Sequence, residues 1–186
     1  PYTNSLGMKF VPVPGAKVLF SIWETRVQDF EAFVRATGRD ATGGMWSFDS
    51  GGNWGQHGHT WHNPGFPQGP MHPLSGVIQA EAKAFCEWLT HKEQAEGKLG
   101  PDESYRLPRD AEWDAAVGLN LFPWGTQWPP PSNAGNYADE SAKRKYRGWS
   151  VIQSYNDGYA DTAPVGSFAA NSYGIYDLGG NLWEFI

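Results

Sequence analysis

The chain has 186 residues, of which 15% are aromatic and 18% charged, together with 23 Gly and 14 Pro. This composition favours a ring-rich fold with many loops over a helical bundle, and no apolar run is long enough to predict a membrane span. The net charge of −6 disfavours nucleic acid as a partner, because repulsion from phosphates would not be offset.

The first forty residues predict two strands and a helix. Met8–Val13 and Lys17–Trp23 are rich in Val, Phe and Ile and are separated by Pro-Gly-Ala, which indicates two strands joined by a tight turn. In the stretch that follows, apolar residues recur at helical offsets of 0, 3, 6 and 7, at Val27, Phe30, Phe33 and Val34. Gly38 is placed to end this amphipathic helix.

Arg39–Pro73 has no period, and loops of this length in compact domains usually have a function or are held by their own side chains. The run "HGHTWHNP" places His57, His59 and His62 close together, and histidine clusters can bind zinc or copper. The alternative is that these side chains bond the loop backbone or face solvent. This alternative is favoured because no cysteine or obvious fourth metal ligand is near the three histidines. His72 is also expected to be structural.

The middle of the chain predicts two more helices and a short strand. A helix over Gln79–Glu96 places Cys86, the only cysteine, on its buried stripe. Tyr105–Leu107 is predicted as a strand, and the next helix is expected to start near Pro108, since proline suits a first turn.

Leu121–Ile186 is irregular again but dense in rings and asparagines. The basic run Lys143–Arg147 is best explained as a solvated loop tip, with a binding site as the alternative. In the closing run "YDLGGNLWEF", Trp183 and Phe185 are expected to point inward and anchor this half of the chain.

Several blocks in order resemble one family over nearly the whole chain. They read "WETRVQDFEAFV", "HPLSGVIQAEAKAFCEWL", "YRLPRDAEWDAAVG", "FPWG" and "DTAPVGSFAANSYGIYDLGGNLWEF", and they are similar to signature blocks of the formylglycine-generating enzyme (sulfatase-modifying factor) family. The resemblance implies one domain over residues 1–186 with an α+β, C-type-lectin-like fold that is loop-rich, has low regular secondary structure and binds calcium. It also implies a missing C-terminal segment, which in true oxidases carries paired active-site cysteines.

The chain departs from the family pattern at two helix starts. Ile78, Gln79 and Glu81 stand where Ser, Trp and Asp are usual. Arg109 replaces a Thr cap, at a cost of about 1 kcal/mol, and Asp110 is expected to take over part of the capping.

The resemblance also implies two calcium sites. One comprises Asp177, the backbone oxygens of Gly180 and Leu182, and the carboxylate of Glu184. The other comprises Asn136, the backbone of Tyr137, Asp157 and the backbone of Tyr159. Carboxylate, amide and backbone oxygens are the ligands that calcium prefers. The alternative is that these Asn and Asp residues only close Asx-turns.

Three functions are weighed on this basis. The favoured one is a non-catalytic, calcium-stabilised recognition module that presents an aromatic-rich surface to a protein or glycan ligand. The second is a copper-dependent formylglycine-generating oxidase acting on a sulfatase cysteine, which needs two thiolates where this chain has one. The third, an oxidase of the ergothioneine-synthase type, would need a companion domain with a three-histidine iron site.

The family context bears on partners and source. Relatives of the recognition type occur attached to bacterial protein kinases, so a bacterial source and a fused kinase or other domain are expected in the full-length protein. Neither the compartment nor the oligomeric state follows from these residues.

Overall fold

The computed structural model describes residues 1–49, 51–118 and 120–186. A three-stranded antiparallel sheet is formed by β1 (Tyr2–Thr3), β2 (Lys9–Pro12) and β3 (Leu19–Ser21), in that order. Four helices follow: α1 (Val27–Thr37), α2 (Gln79–Ala95), α3 (Asp110–Val117) and α4 (Glu140–Lys145). A hairpin of β4 (Ser47–Phe48) and β5 (Trp54–Gly55) lies between α1 and α2. The predicted mixture of helices and short strands with many loops is confirmed.

The start of the chain folds as predicted. Strands β2 and β3 pair with Phe10 opposite Ser21, and the turn between them uses Gly15 at φ +86°. Helix α1 ends at Gly38, whose left-handed backbone (φ +65°) lets its N–H donate to the Val34 carbonyl at 2.9 Å.

The N-terminus of α1 is fixed by a buried ion pair. Arg26 and Asp29 form a salt bridge at 2.8 Å with side chains 6% and 1% exposed, and the Asp29 carboxylate also accepts the Arg26 backbone N–H. A buried carboxylate is acceptable here because both its oxygens have donors.

The predicted strand Tyr105–Leu107 is wrong. The Tyr105 N–H donates to the Thr90 hydroxyl at 2.9 Å, so this stretch is tied to α2 by a side chain instead of joining a ladder. Helix α3 then starts at Asp110, two residues after Pro108. Its Arg109 cap is supported by Glu112, which accepts the Arg109 N–H at 2.8 Å, so the expected role of Asp110 falls to Glu112.

Helix α4 lies in the stretch interpreted as a loop tip. Asp139 is fully buried, and its carboxylate accepts the N–H groups of Ser141 (2.7 Å) and Ala142 (3.1 Å). This cap starts a six-residue helix that carries the basic residues in its last turn.

Two apolar clusters hold these elements together. The larger lies between the sheet, α1 and α2 and comprises Met8, Phe10, Phe30, Phe33, Ala41, Trp61, Phe85 and Leu89. The smaller joins β3, α3 and the end of the chain and comprises Val13, Phe20, Ala116, Ile175 and Leu178. Across the described parts of the chain, no helix has the length and apolar character needed to cross a membrane.

Candidate functional site

Asp177 lies in the closing loop, between Ile175 and Leu178 of the smaller cluster. Its backbone is left-handed (φ +60°) and the residue is only 8% exposed. One carboxylate oxygen, Oδ2, accepts the Gly166 N–H at 2.8 Å, whereas Oδ1 is buried with no hydrogen-bond partner among the described residues. Burial raises the pKa of Asp177. An unpaired buried carboxylate oxygen is costly, which favours a cation near this position.

Glu24 is the acidic neighbour that the sequence did not predict. It lies between β3 and α1, and its carboxylate accepts the Leu182 N–H at 3.0 Å and the Asn181 side-chain N–H at 3.0 Å. Burial, and then repulsion from Glu184 and Asp177, raise the pKa of Glu24 well above its usual value. Hydrogen bonds therefore tie an acidic side chain from the start of the chain to the closing run.

Glu184 completes this acidic group. The residue as a whole is exposed, although desolvation of its carboxyl group, and then repulsion from Asp177, raise its pKa to about 7. Mutual repulsion of this kind is relieved by a proton or by a bound cation. Calcium takes carboxylate and backbone oxygens, the donor types that the closing run offers, and its binding here stays a prediction.

Gly180 connects the two predicted calcium sites. A Cβ at this position would lie 2.5 Å from the Asn136 carbonyl oxygen, which also accepts the Asn181 N–H at 2.9 Å. The backbone around Gly180 is thus pressed against the loop that carries the other predicted site.

The second predicted set is also brought together. The Asp157 carboxylate accepts the N–H groups of Tyr137 (2.9 Å) and Tyr159 (2.7 Å), and buried Asn136 donates to the Asp161 carbonyl at 2.5 Å. Burial raises the pKa of Asp157. The Asp157–Tyr159 contact is an Asx-turn, the alternative that was weighed against calcium. The Asx-turn uses one lone pair of the Asp157 carboxylate, and the lone pairs that accept no hydrogen bond are available to a cation.

Calcium itself remains a prediction at both places. Within the described residues, no cluster of three or more His, Cys, Asp or Glu side chains has an arrangement that could hold a metal ion. The predicted calcium sites depend in large part on backbone and amide oxygens, and such oxygens do not count towards a cluster of His, Cys, Asp and Glu side chains.

The His57 and His59 rings have centroids 6.3 Å apart, but among the described residues the three histidines do not belong to a group that could hold a metal ion. His59 Nδ1 is 2.6 Å from the Ser47 hydroxyl, and His57 Nε2 is 3.1 Å from the Asn53 carbonyl oxygen. His62 lies edge-on to the Trp61 ring. These contacts fit the interpretation that the side chains hold the loop. His72 likewise contacts the Thr162 hydroxyl at 3.0 Å, and its carbonyl accepts the Val27 N–H.

Cys86 packs against the larger apolar cluster, as predicted for a core residue. Burial raises the pKa of its thiol to about 11, so the thiol is protonated at neutral pH. A protonated thiol is a poor metal ligand and a poor nucleophile.

An apolar groove of about 990 Å³ runs between the sheet, the inner face of α2 and residues 102–108, and reaches Glu24 and the closing run. The expectation that Trp183 and Phe185 point inward is wrong. Trp183 is fully exposed and Phe185 is 39% exposed. The loop turns outward here because Asn181, at φ +64°, is held by the Ala163 backbone through its side chain.

Five aromatic rings form a second group, in which Trp46 and Trp54 are exposed and the other three are half-buried. We call it the hairpin platform; it comprises Trp46, Phe48, Trp54, Tyr146 and Trp149. Trp46 is 53% and Trp54 58% exposed, although large aromatic residues are usually buried.

Comparison with known proteins places the chain in a family. Residues 18–186 match the sulfatase-modifying factor enzyme 1-like domain, and the chain therefore belongs to the formylglycine-generating enzyme and sulfatase-modifying factor family. The solved structure of PvdO from Pseudomonas aeruginosa has the same fold. It superposes with a TM-score of 0.58 at 20% identity and covers 96% of this chain and 67% of that one.

Curated relatives have different activities. The chain is 34% identical over 138 residues to the formylglycine-generating enzyme of Bos taurus, covering 69% of this chain and 31% of the relative. It is 31% identical over 118 residues to the inactive C-alpha-formylglycine-generating enzyme 2 of Bos taurus (61% and 31%). It is 30% identical over 122 residues to the serine/threonine-protein kinase pkn1 of Chlamydia caviae (66% and 14%). The chain thus spans about a third or less of the length of these relatives.

Proposed function

We propose that the chain is a non-catalytic, calcium-stabilised recognition module that presents an aromatic-rich surface to a protein or glycan ligand. The observation that carries this proposal is the exposure of large rings. Trp46, Trp54, Trp128 and Trp183 are 53%, 58%, 60% and 103% exposed. Exposed aromatic surface of this extent is typical of interaction sites, where Trp and Tyr supply contact area at low entropic cost.

The stabilising role of calcium is supported by the acidic group in the closing loop. Burial raises the pKa of Glu24, Asp177 and Glu184, and repulsion from neighbouring carboxylates adds to the rise for Glu24 and Glu184. Asp177 Oδ1 has no hydrogen-bond donor among the described residues. A bound cation would offset the repulsion and occupy the free oxygen.

Sequence likeness to an active enzyme favours a second candidate, a copper-dependent formylglycine-generating oxidase acting on a sulfatase cysteine. It is supported by the 34% identity to the Bos taurus enzyme. Within these 186 residues it is opposed by the single thiol of Cys86, whose pKa is about 11, because binding of Cu(I) needs soft thiolate ligands. The likeness to a relative named as inactive agrees with the recognition role.

A kinase context is part of the same proposal. The match to a protein named as a serine/threonine-protein kinase covers only 14% of that protein, so the module would be one part of a larger chain there. We extend this arrangement to the present chain as a proposal only.

Thermal unfolding tests the calcium part. With calcium at 100 times its dissociation constant, we expect about 2.7 kcal/mol of stabilisation relative to chelator. Asp177→Asn should remove the part of this shift that comes from the closing-loop site and, because it removes a repelling charge, should raise the melting temperature in chelator. Asp102→Asn, at an exposed position outside the group, is the matched control. Equal melting temperatures of the unaltered chain in calcium and in chelator would remove calcium from the proposal.

Two assays test the recognition part against the oxidase. The chain is applied to glycan and protein arrays, where saturable binding is expected. It is also incubated with Cu(I), oxygen and a cysteine-containing sulfatase peptide, where mass spectrometry should detect no aldehyde. Aldehyde formation by the chain would establish the second candidate in place of the first.

A further inference from the structure

The hairpin platform is a continuous set of rings from two separate parts of the chain. Phe48 packs against Trp54 with ring centroids 4.9 Å apart, and Trp46 lies 6.2 Å from Trp54. On the other side Trp149 meets Phe48 edge-on at 4.8 Å and stacks on Tyr146 at 4.4 Å. Phe48 therefore links the indoles of the hairpin to the stacked pair Tyr146 and Trp149.

The platform is held in place by polar contacts on both sides. In the hairpin, Phe48 pairs with Trp54, and the Ser47 hydroxyl is 2.6 Å from His59. On the helical side, Lys143 Nζ donates to the Trp149 carbonyl at 2.5 Å. Rings that are already ordered lose little conformational entropy when a ligand stacks on them, which favours binding.

Cations accompany the helical side of the platform, where Lys145 Nζ lies 5.1 Å from the centroid of the Tyr146 ring. Lys143, Arg144 and Arg147 are exposed at the end of α4, and none has a carboxylate partner among the residues that the structure describes. Lys145, by contrast, is paired with Asp161 at 2.7 Å. In a chain with a net charge of −6, this is a local positive region next to flat apolar faces.

We infer that the hairpin platform binds an acidic glycan, a chain of pyranose rings that carries carboxylate groups. The apolar C–H faces of the sugars stack on Trp46 and Trp54, and the carboxylates face Lys143, Arg144 and Arg147. This inference rests on the proposed recognition function and specifies its ligand and its location.

One observation favours a glycan over a protein ligand. The exposed members of the platform are the indoles Trp46 and Trp54, and cations accompany the platform, whereas protein interfaces usually have an apolar core depleted in charge. Single-stranded nucleic acid also combines stacking with cations, and titration with oligothymidylate separates it from a glycan.

The test is calorimetric titration of the chain with oligogalacturonate and with the same oligomer fully methyl-esterified. The two have the same rings, but only the first is charged. We expect saturable binding of the acid form and binding at least about fivefold weaker of the ester, because the ester retains stacking and loses the ion pairs. Equal affinity for the two forms would overturn the assignment of an acidic ligand.

Variants locate the site. Trp54→Ala and, separately, Trp46→Ala should each weaken binding about tenfold or more, which corresponds to the loss of one good stacking contact. Ile78→Ala is the control, because Ile78 is 56% exposed but lies outside the platform and outside the exposed rings of the proposed recognition surface. Arg147→Gln should weaken binding of the acid form about threefold and leave binding of the ester unchanged. Circular dichroism and the melting temperature establish that each variant is folded.

The remaining outcomes separate this inference from the proposed function. Tighter binding of oligothymidylate or polyglutamate than of oligogalacturonate, or full retention of binding in both Trp46→Ala and Trp54→Ala, overturns the inference. If glycan or protein binding on the arrays persists but depends on Trp128 or Trp183, the recognition function stands and its placement on the platform fails. If the chain binds nothing on either array, the recognition function itself fails.

Discussion

Glu112 serves two partners at the start of α3. Its carboxylate accepts two hydrogen bonds from the Arg106 guanidinium, at 2.6 and 2.7 Å, and one from the Arg109 backbone N–H at 2.8 Å. The Arg106 bonds, and next the Arg109 bond, lower the pKa of Glu112 to about 2. This contribution to stability is complete above the unfolded value near 4.5 and is lost as the pH falls towards 2.

Replacement of Glu112 by Gln should remove that pH dependence while keeping the cap, because Gln at the third helical position can still accept the Arg109 N–H. At pH 7 we expect a loss below about 1 kcal/mol, since the pair is partly solvated. Urea unfolding at pH 7, 4 and 2.5 measures it. The difference between variant and parent should shrink as the pH falls, and a difference that stays constant would contradict the prediction. Glu87→Gln, at an exposed position of α2, is the control.

Gly180 gives a second test on the residue scale. A Cβ there would meet the Asn136 carbonyl oxygen at 2.5 Å, and backbone cannot move aside as a flexible side chain can. Gly180→Ala should therefore destabilise the chain by roughly 1–3 kcal/mol. Gly148→Ala is the matched control, because nothing lies within 4 Å of a Cβ at that position. Equal unfolding midpoints for the two variants would show that the contact between the two predicted calcium loops is not rigid.

At the scale of elements, α4 depends on one capping carboxylate. Asp139 also accepts the Asp157 N–H at 2.5 Å, so its two oxygens serve both the helix and the predicted calcium loop. Asp139→Ala should cost about 1–3 kcal/mol, through the lost cap and the unpaired buried donors. Asp139→Asn should recover part of this loss, because only one of its two groups can accept a hydrogen bond. Full stability of Asp139→Ala would contradict this role; chemical unfolding of both variants is the measurement.

How far an element could be predicted depended on the length of its pattern. Helix α1 has four apolar residues in register and a terminal glycine, and both its bounds were predicted. Helix α4 has six residues and a single capping Asp, too little for a period to emerge. Tyr105–Leu107 has the composition of a strand, but a tertiary contact with Thr90 decides its conformation.

The same reasoning applies to the candidate site. Asp177 and Glu184 were predicted because a family resemblance marks the closing run. Glu24 was missed because it lies more than 150 residues away, in a stretch where a single acid between a strand and a helix carries no local signal. The outward orientation of Trp183 was also unpredictable from composition, since it follows from the backbone turn at Asn181.

On the scale of the whole molecule, the chain is stabilised in two different ways. Its first hundred residues pack around Phe30, Phe33 and Leu89, which are nearly inaccessible to solvent. The second half instead uses side chains that bond the backbone. Asn171 accepts the N–H groups of Tyr173 and Ile175 and donates to Ala116, and Asn181 bonds Ala163 in both directions. The second half of the chain therefore buries less apolar surface than the first, and its local unfolding costs less free energy.

Amide hydrogen exchange should therefore resolve two regions with different responses to calcium. In chelator we expect the amides of Tyr137, Asn181 and Leu182 to exchange faster than those of Phe30 and Phe33, because their acceptors belong to the acidic loops. Calcium at 100 times its dissociation constant should slow the first group by up to about 100-fold, since the linked stabilisation is about 2.7 kcal/mol. The amides of α1 should change much less if they open without disturbing the calcium loops. Equal slowing of both groups would indicate that the chain opens only as one unit, and no slowing in either would count against a cation in the closing loop.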